Sequence, residues 1–345
     1  MLQTKAPAPA PPRTPHPVRE IAVFLGITYG LALSIALALP HAGIAPLVSI
    51  LVPVTAVALT VALTVPRGER RAVWAAVGLG RSGGTGLVVA VVGPVLIIGL
   101  SFAVATALGV VRFPGPDGSL GAALGRVVLA TAVFTVVFLG EEVGWRGFLL
   151  FRLAEVTSGR RAALLTGAFH AVFHLPLLVL TTTYQSAGSR WVVLPMVMVT
   201  LTMAGVWYGW LRLWSGSIWP VALSHSAFNN VVETVGGAAV ATSPVTMAYV
   251  TTETGAATML IVTAVAGYLL LRRAADFERA RPTAPPRVER PWPRPPPDRA
   301  RKGPQRRRPC VTADPAQAWA DARARPLGVG LGETVFALLG REITS

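Results

Sequence analysis

Eight apolar runs decide what this chain can fold into. They cover about Ile21–Leu39, Ile44–Val65, Gly86–Val111, Ala122–Leu139, Ala162–Leu180, Trp191–Leu213, Ile218–Val232 and Ala256–Leu271. Most approach the roughly 20 residues that a helix needs to cross the hydrocarbon core of a bilayer. Inside a bilayer every backbone N–H and C=O must be satisfied within the protein, which favours helices for runs of this length. Only 14% of the residues are charged, against about 25% in soluble domains. The expected fold is therefore all-α: a polytopic integral membrane helix bundle of about eight transmembrane helices.

The charges that remain are distributed unevenly. On an eight-span reading one side of the membrane receives Lys5, Arg13, Arg19, the cluster Arg67, Arg70, Arg71 and Arg81, then Arg152, Arg160, Arg161, Arg212 and the carboxy-terminal tail. The other receives Arg112, Arg126 and Arg190, balanced by Asp117, Glu233 and Glu253. Excess Lys and Arg mark the cytoplasmic side, so both termini are expected in the cytoplasm of a multi-pass plasma-membrane protein. The net charge of +15 then meets anionic lipid headgroups rather than a specific nucleic acid. Met1–Pro17 is Pro/Ala-rich and is expected to be disordered, 18–273 is the membrane domain with its motifs in 122–232, and 274–345 is a basic Pro/Arg-rich tail also expected to be disordered. The first run is longer than a signal-peptide core and reads as a retained helix. The single cysteine, Cys310, excludes an intramolecular disulfide framework and a cysteine-rich metal site.

Three polar stretches interrupt this apolar background: Gly140-Glu141-Glu142-Val143-Gly144-Trp145-Arg146, Phe169-His170-Ala171-Val172-Phe173-His174, and His225-Ser226-Ala227-Phe228-Asn229. Carboxylates at membrane depth are costly unless paired, so the Glu pair at the end of the fourth run reads as functional. On a helix Glu142 and Arg146 share a face, whereas Glu141 points about 100° away from Glu142. Arg146 is thus expected to neutralise Glu142, leaving Glu141 as a base facing the bundle interior. A snorkelling anchor at the membrane boundary is the blander explanation, but one carboxylate would serve for that. His170 and His174 share a face of the fifth run, and three of the five histidines fall in apolar spans. His225 and Asn229 repeat the four-residue spacing and supply two hydrogen-bond donors of the kind an oxyanion hole requires; the alternative is interhelical polar glue. A base, a helper that shares its proton and two donors satisfy the requirements for acyl transfer to water.

Glu141-Glu142-x-x-x-Arg146, the aromatic-rich helix before His174, and His225-x-x-x-Asn229 together resemble the CAAX prenyl protease and bacteriocin-processing (CPBP, Abi) family of intramembrane proteases. The resemblance covers about Val127–Val232. It implies an intramembrane endopeptidase in which Glu141 and His174 activate water, His225 and Asn229 form the oxyanion hole, and Glu142 and Arg146 orient the site. The substrate it implies is a peptide or protein, lipidated or otherwise membrane-associated. One position departs from the family: its second motif usually reads Phe-x-x-x-His, and His170 stands where that Phe would be. No cofactor is needed on this reading. The alternatives are a zinc-dependent intramembrane metalloprotease with His170, His174 and His225 as ligands, and a non-enzymatic immunity scaffold or transporter. Oligomeric state is not legible from the residues.

Overall fold

The computed structural model describes residues 14–80, 82–115, 120–182 and 187–280. Its helices are α1 (Pro17–Ala38), α2 (Ala45–Ile50), α3 (Val52–Thr64), α4 (Arg70–Ala76), α5 (Gly84–Ala107), α6 (Leu120–Glu142), α7 (Leu150–Val156), α8 (Gly159–Leu180), α9 (Arg190–Ser215), α10 (Trp219–Ala238), α11 (Pro244–Val250), α12 (Ala256–Arg272) and α13 (Ala274–Phe277). The protein is an all-α polytopic membrane bundle, and among the described residues six helical segments are long and apolar enough to cross a membrane. The expected count of eight also included α10 and α12. α10 is 20 residues long but carries His225, Asn229 and Asn230, and α12 is apolar but only 17 residues long.

The fourth apolar run does not end at the carboxylates. The helix continues from α6 through a π-helical stretch, Val143–Leu149, into α7, giving a single 36-residue span, Gly121–Val156. Hydropathy cannot follow it there because Glu141, Glu142, Arg146 and Arg152 all intervene. Each of these charges is buried and partnered. Arg152, for example, donates through Nε to Glu20 on α1 at 2.7 Å and through Nη1 to Glu155 at 2.7 Å.

The second run forms one 20-residue apolar span, Ala45–Thr64, with a turn at Leu51 between α2 and α3; Pro53 lacks an N–H there and its ring would crowd the carbonyl four residues back. The glutamate-bearing helix packs against this turn. A Cβ at Gly140 would lie 2.7 Å from the Ile50 carbonyl oxygen, and one at Gly144 would fall on Pro53. These small residues let the backbones approach and so fix the depth and rotation of Glu141 and Glu142 between them.

Three further boundaries differ from those read in the sequence. The helix of the third run, α5, stops at Ala107, and Val111–Arg112 pairs antiparallel with Val240–Ala241 as a two-stranded ribbon. Residues 274–280, assigned to the tail, instead belong to the core: Phe277 and Ala280 are buried, and Asp276 accepts from Trp210 Nε1 at 3.0 Å and Arg273 Nε at 2.8 Å. Thr14, assigned to the disordered leader, is tied down through its N–H to Glu155 at 3.0 Å. The remainder of both terminal segments, residues 1–13 and 281–345, lies outside the described residues.

α8 packs along α9 and against α1, and α10 lies between α5 and α6. The α8–α9 contact depends on Gly167 and Gly205: a Cβ at Gly167 would fall on the Thr202 carbonyl, and the two glycines approach each other directly. Overpacking of this kind costs about 1–3 kcal/mol or more. Gly167→Leu is therefore expected to lower the thermal unfolding midpoint in detergent well below that of wild type; an unchanged midpoint contradicts the packing described.

Candidate active site

Four segments meet around one polar cluster. α6 contributes Glu141 and Glu142 from its last turn, the π-helical stretch contributes Arg146, α8 contributes His170 and His174, and α10 contributes His225. In a π-helix the residues per turn rise above 3.6, so Arg146 still returns to the face of Glu142. Its Nη1 lies 3.1 Å from both Glu142 oxygens, and neither side chain is exposed to any extent. The guanidinium also rests over the ring of Tyr208, 5.0 Å from its centroid.

Glu142 has a second partner that its spacing does not show. His225 Nδ1–H donates to Glu142 Oε1 at 2.8 Å, with the imidazole stacked between Phe138 at 4.2 Å and Tyr208 at 5.3 Å. With Nδ1 committed as a donor to a carboxylate, the other nitrogen of His225 carries the lone pair when the ring is neutral. His225 therefore donates from Nε2 only when both ring nitrogens carry a proton.

Glu141 is only 3% exposed and accepts a hydrogen bond through Oε2 from His170 Nε2 at 2.8 Å. The opposite nitrogen of that ring, Nδ1, lies 3.2 Å from Arg146 Nη1. A guanidinium can only donate, so Nδ1 is the acceptor and the ring proton sits on Nε2, aimed at Glu141. His174 is half-buried and donates Nδ1–H to the His170 carbonyl at 3.1 Å, leaving its Nε2 lone pair uncommitted by that bond.

The structure thus brings together Glu141, Glu142, Arg146, His170, His174 and His225. Asn229, one turn beyond His225 on α10, is exposed, and its side chain makes no hydrogen bond among the described residues. Asn230 donates to the Ser226 carbonyl at 2.9 Å, and Ser226 Oγ donates to the Thr131 carbonyl at 2.9 Å, a polar tie between α10 and α6. Tyr208, Phe138 and Trp145, whose rings wall the histidines, were not singled out from sequence; no spacing rule distinguishes them from ordinary packing residues.

Ligand atoms of Glu141, His170 and His174 lie within 4.8 Å of one another, close enough for a divalent cation to draw them together. His225 is not part of that group. His174 offers Nε2 and Glu141 its second oxygen, but both ring nitrogens of His170 are already hydrogen-bonded, one of them to a guanidinium.

Residues 121–231 match the family model of type II CAAX prenyl endopeptidases, Rce1-like. The match begins at the glutamate-bearing helix and ends just after the His225 and Asn229 motif. A comparison with the curated proteins found no match.

Proposed function

As a member, through residues 121–231, of the family of Rce1-like type II CAAX prenyl endopeptidases, this chain is, we propose, an intramembrane endopeptidase that hydrolyses a peptide bond with a glutamate-activated water. The observation that carries the reading is the division of labour between the two carboxylates. Glu142 is held by Arg146 and His225, while Glu141 is capped on one oxygen by His170.

Glu141, assisted by the lone pair of His174 Nε2, removes a proton from a water as the water oxygen bonds to the peptide carbonyl carbon and the carbonyl π electrons move to oxygen. The oxyanion is held by Asn229 and by His225, which enters the cycle already protonated at Nε2 and keeps that proton throughout, and donors already in place gain strength where water is excluded. Collapse of the tetrahedral species breaks the C–N bond, and the proton on Glu141 passes to the departing nitrogen. The products are a carboxylic acid and an amine. For Asn229 to act, the substrate must cover its exposed side chain. The substrate is a peptide or protein, lipidated or otherwise membrane-associated, reached from the cytoplasmic side of the plasma membrane, where we place both termini.

The test is reconstitution in liposomes with a pool of membrane-protein substrates, lipidated ones included, in H2¹⁸O. New carboxyl termini bearing the label are expected; a pool left intact across substrate classes contradicts the proposal. A second reading places zinc among Glu141, His170 and His174, on the strength of their mutual approach. Zinc would supply Lewis-acid activation of the water, with Arg146 and His225 still holding Glu142. Exhaustive chelation separates the two readings: turnover is expected to survive it, and loss restored by added Zn²⁺ favours the metal.

A further inference from the structure

The geometry points to His170 as a positioning residue for Glu141, coupling the base to the buried Glu142–Arg146 ion pair. This inference rests on the function proposed above and assigns a role to the position where the chain departs from Phe-x-x-x-His.

The argument runs through donor counting. Arg146 Nη1 carries two hydrogens, and its neighbours are the two Glu142 oxygens at 3.1 Å and His170 Nδ1 at 3.2 Å. One hydrogen can serve the carboxylate and the other the imidazole. Because Nδ1 must then accept, Nε2 must donate, and the acceptor it meets is Glu141 Oε2 at 2.8 Å. The imidazole therefore transmits an orientation. Glu142 fixes Arg146, Arg146 fixes the tautomer of His170, and His170 fixes which oxygen of Glu141 is occupied. The other oxygen, Oε1, is left to take the proton of the attacking water. The ring is itself clamped: it is 1% exposed, lies 5.1 Å from Trp145 and 5.0 Å from His174, and its own carbonyl accepts from His174 Nδ1. A phenylalanine would fill the same space but could neither donate to Glu141 nor accept from Arg146.

The test compares kcat and KM of wild type, His170→Phe, His170→Gln and Glu141→Gln in the same liposome assay, with unfolding midpoints in parallel. Misplacement of a reacting group by about 1 Å can cost about 10²-fold. His170→Phe is accordingly expected to lower kcat by about 10²-fold and leave KM within about twofold, because substrate contacts are untouched. A glutamine can donate from its amide nitrogen to Glu141 and accept at its oxygen from Arg146. His170→Gln is therefore expected to recover kcat to within about tenfold of wild type, by the same positioning argument. Wild-type kcat in His170→Phe, or a Gln variant no faster than the Phe variant, overturns the positioning role. If the Phe variant fails to fold, the Gln variant alone decides, since a kcat reduced about 10²-fold at a wild-type midpoint contradicts the role. Turnover retained by Glu141→Gln instead removes the base itself and overturns the proposed function, so the two failures are told apart.

Discussion

Glu141→Gln is expected to lower kcat by about 10²–10⁴-fold, the range over which a positioned general acid–base group contributes. The substitution replaces one carboxylate oxygen by an amide nitrogen and leaves the side-chain volume nearly unchanged, so the packing of α6 against the Leu51–Pro53 turn is preserved. It also keeps an acceptor: the amide oxygen can still receive His170 Nε2–H. What disappears is the group that accepts the water proton and returns it to the leaving amine. KM should change little, and the unfolding midpoint should stay close to wild type or rise, because a buried carboxylate is removed. A Glu141→Gln enzyme with wild-type kcat would show that the base lies elsewhere in the cluster.

The second large effect is on stability and belongs to Arg146. Arg146→Met leaves Glu142 fully buried with His225 as its one remaining charge-capable partner in the cluster. Removing one member of a buried ion pair costs about 3–5 kcal/mol, because the survivor is left uncompensated, whereas replacing both by apolar groups is often neutral. The double variant Glu142→Leu/Arg146→Met is therefore expected to unfold at a higher temperature than Arg146→Met alone, although both should be inactive. The comparison isolates the stranded charge from the loss of side-chain packing, which both variants share. A single variant as stable as wild type, or a double variant less stable than the single one, contradicts the ion-pair account.

The parts of this site that could be read in the sequence were those set by one helix. Glu142 and Arg146 lie four residues apart and face each other, and Glu141 points elsewhere, because the helical repeat dictates it. Contacts between helices follow no such rule. His170 stands 29 residues from Glu141, and His225 stands 83 from Glu142, so only the packing of α8 and α10 against α6 and the π-helical stretch could reveal those bonds. His170 looked like a departure from a motif and a spare metal ligand. In the structure it is the side chain hydrogen-bonded to the carboxylate that the proposed function makes the base.

The same division holds for the fold. Apolar runs identified the membrane helices because hydropathy is a local property. The passage of α6 through Glu141, Glu142, Arg146 and Arg152 into α7 was hidden, because each charged side chain is hydrogen-bonded to partners distant in sequence or on the next turn. The π-helical stretch was equally hidden. Its seven residues contain Gly144 and Gly147, which reduce side-chain crowding against Pro53 and Val77, but that requirement exists only once those residues are packed alongside.

The most direct test of the central claim, that Glu141 drives peptide-bond hydrolysis in the membrane, is a comparison of membrane-protein termini between cells carrying the wild-type chain and cells carrying Glu141→Gln. The account predicts a defined set of carboxyl or amino termini present with the wild type and absent with the variant, at equal abundance of the two proteins. Identical termini in both strains, under conditions where the wild-type protein is made and folded, would contradict it.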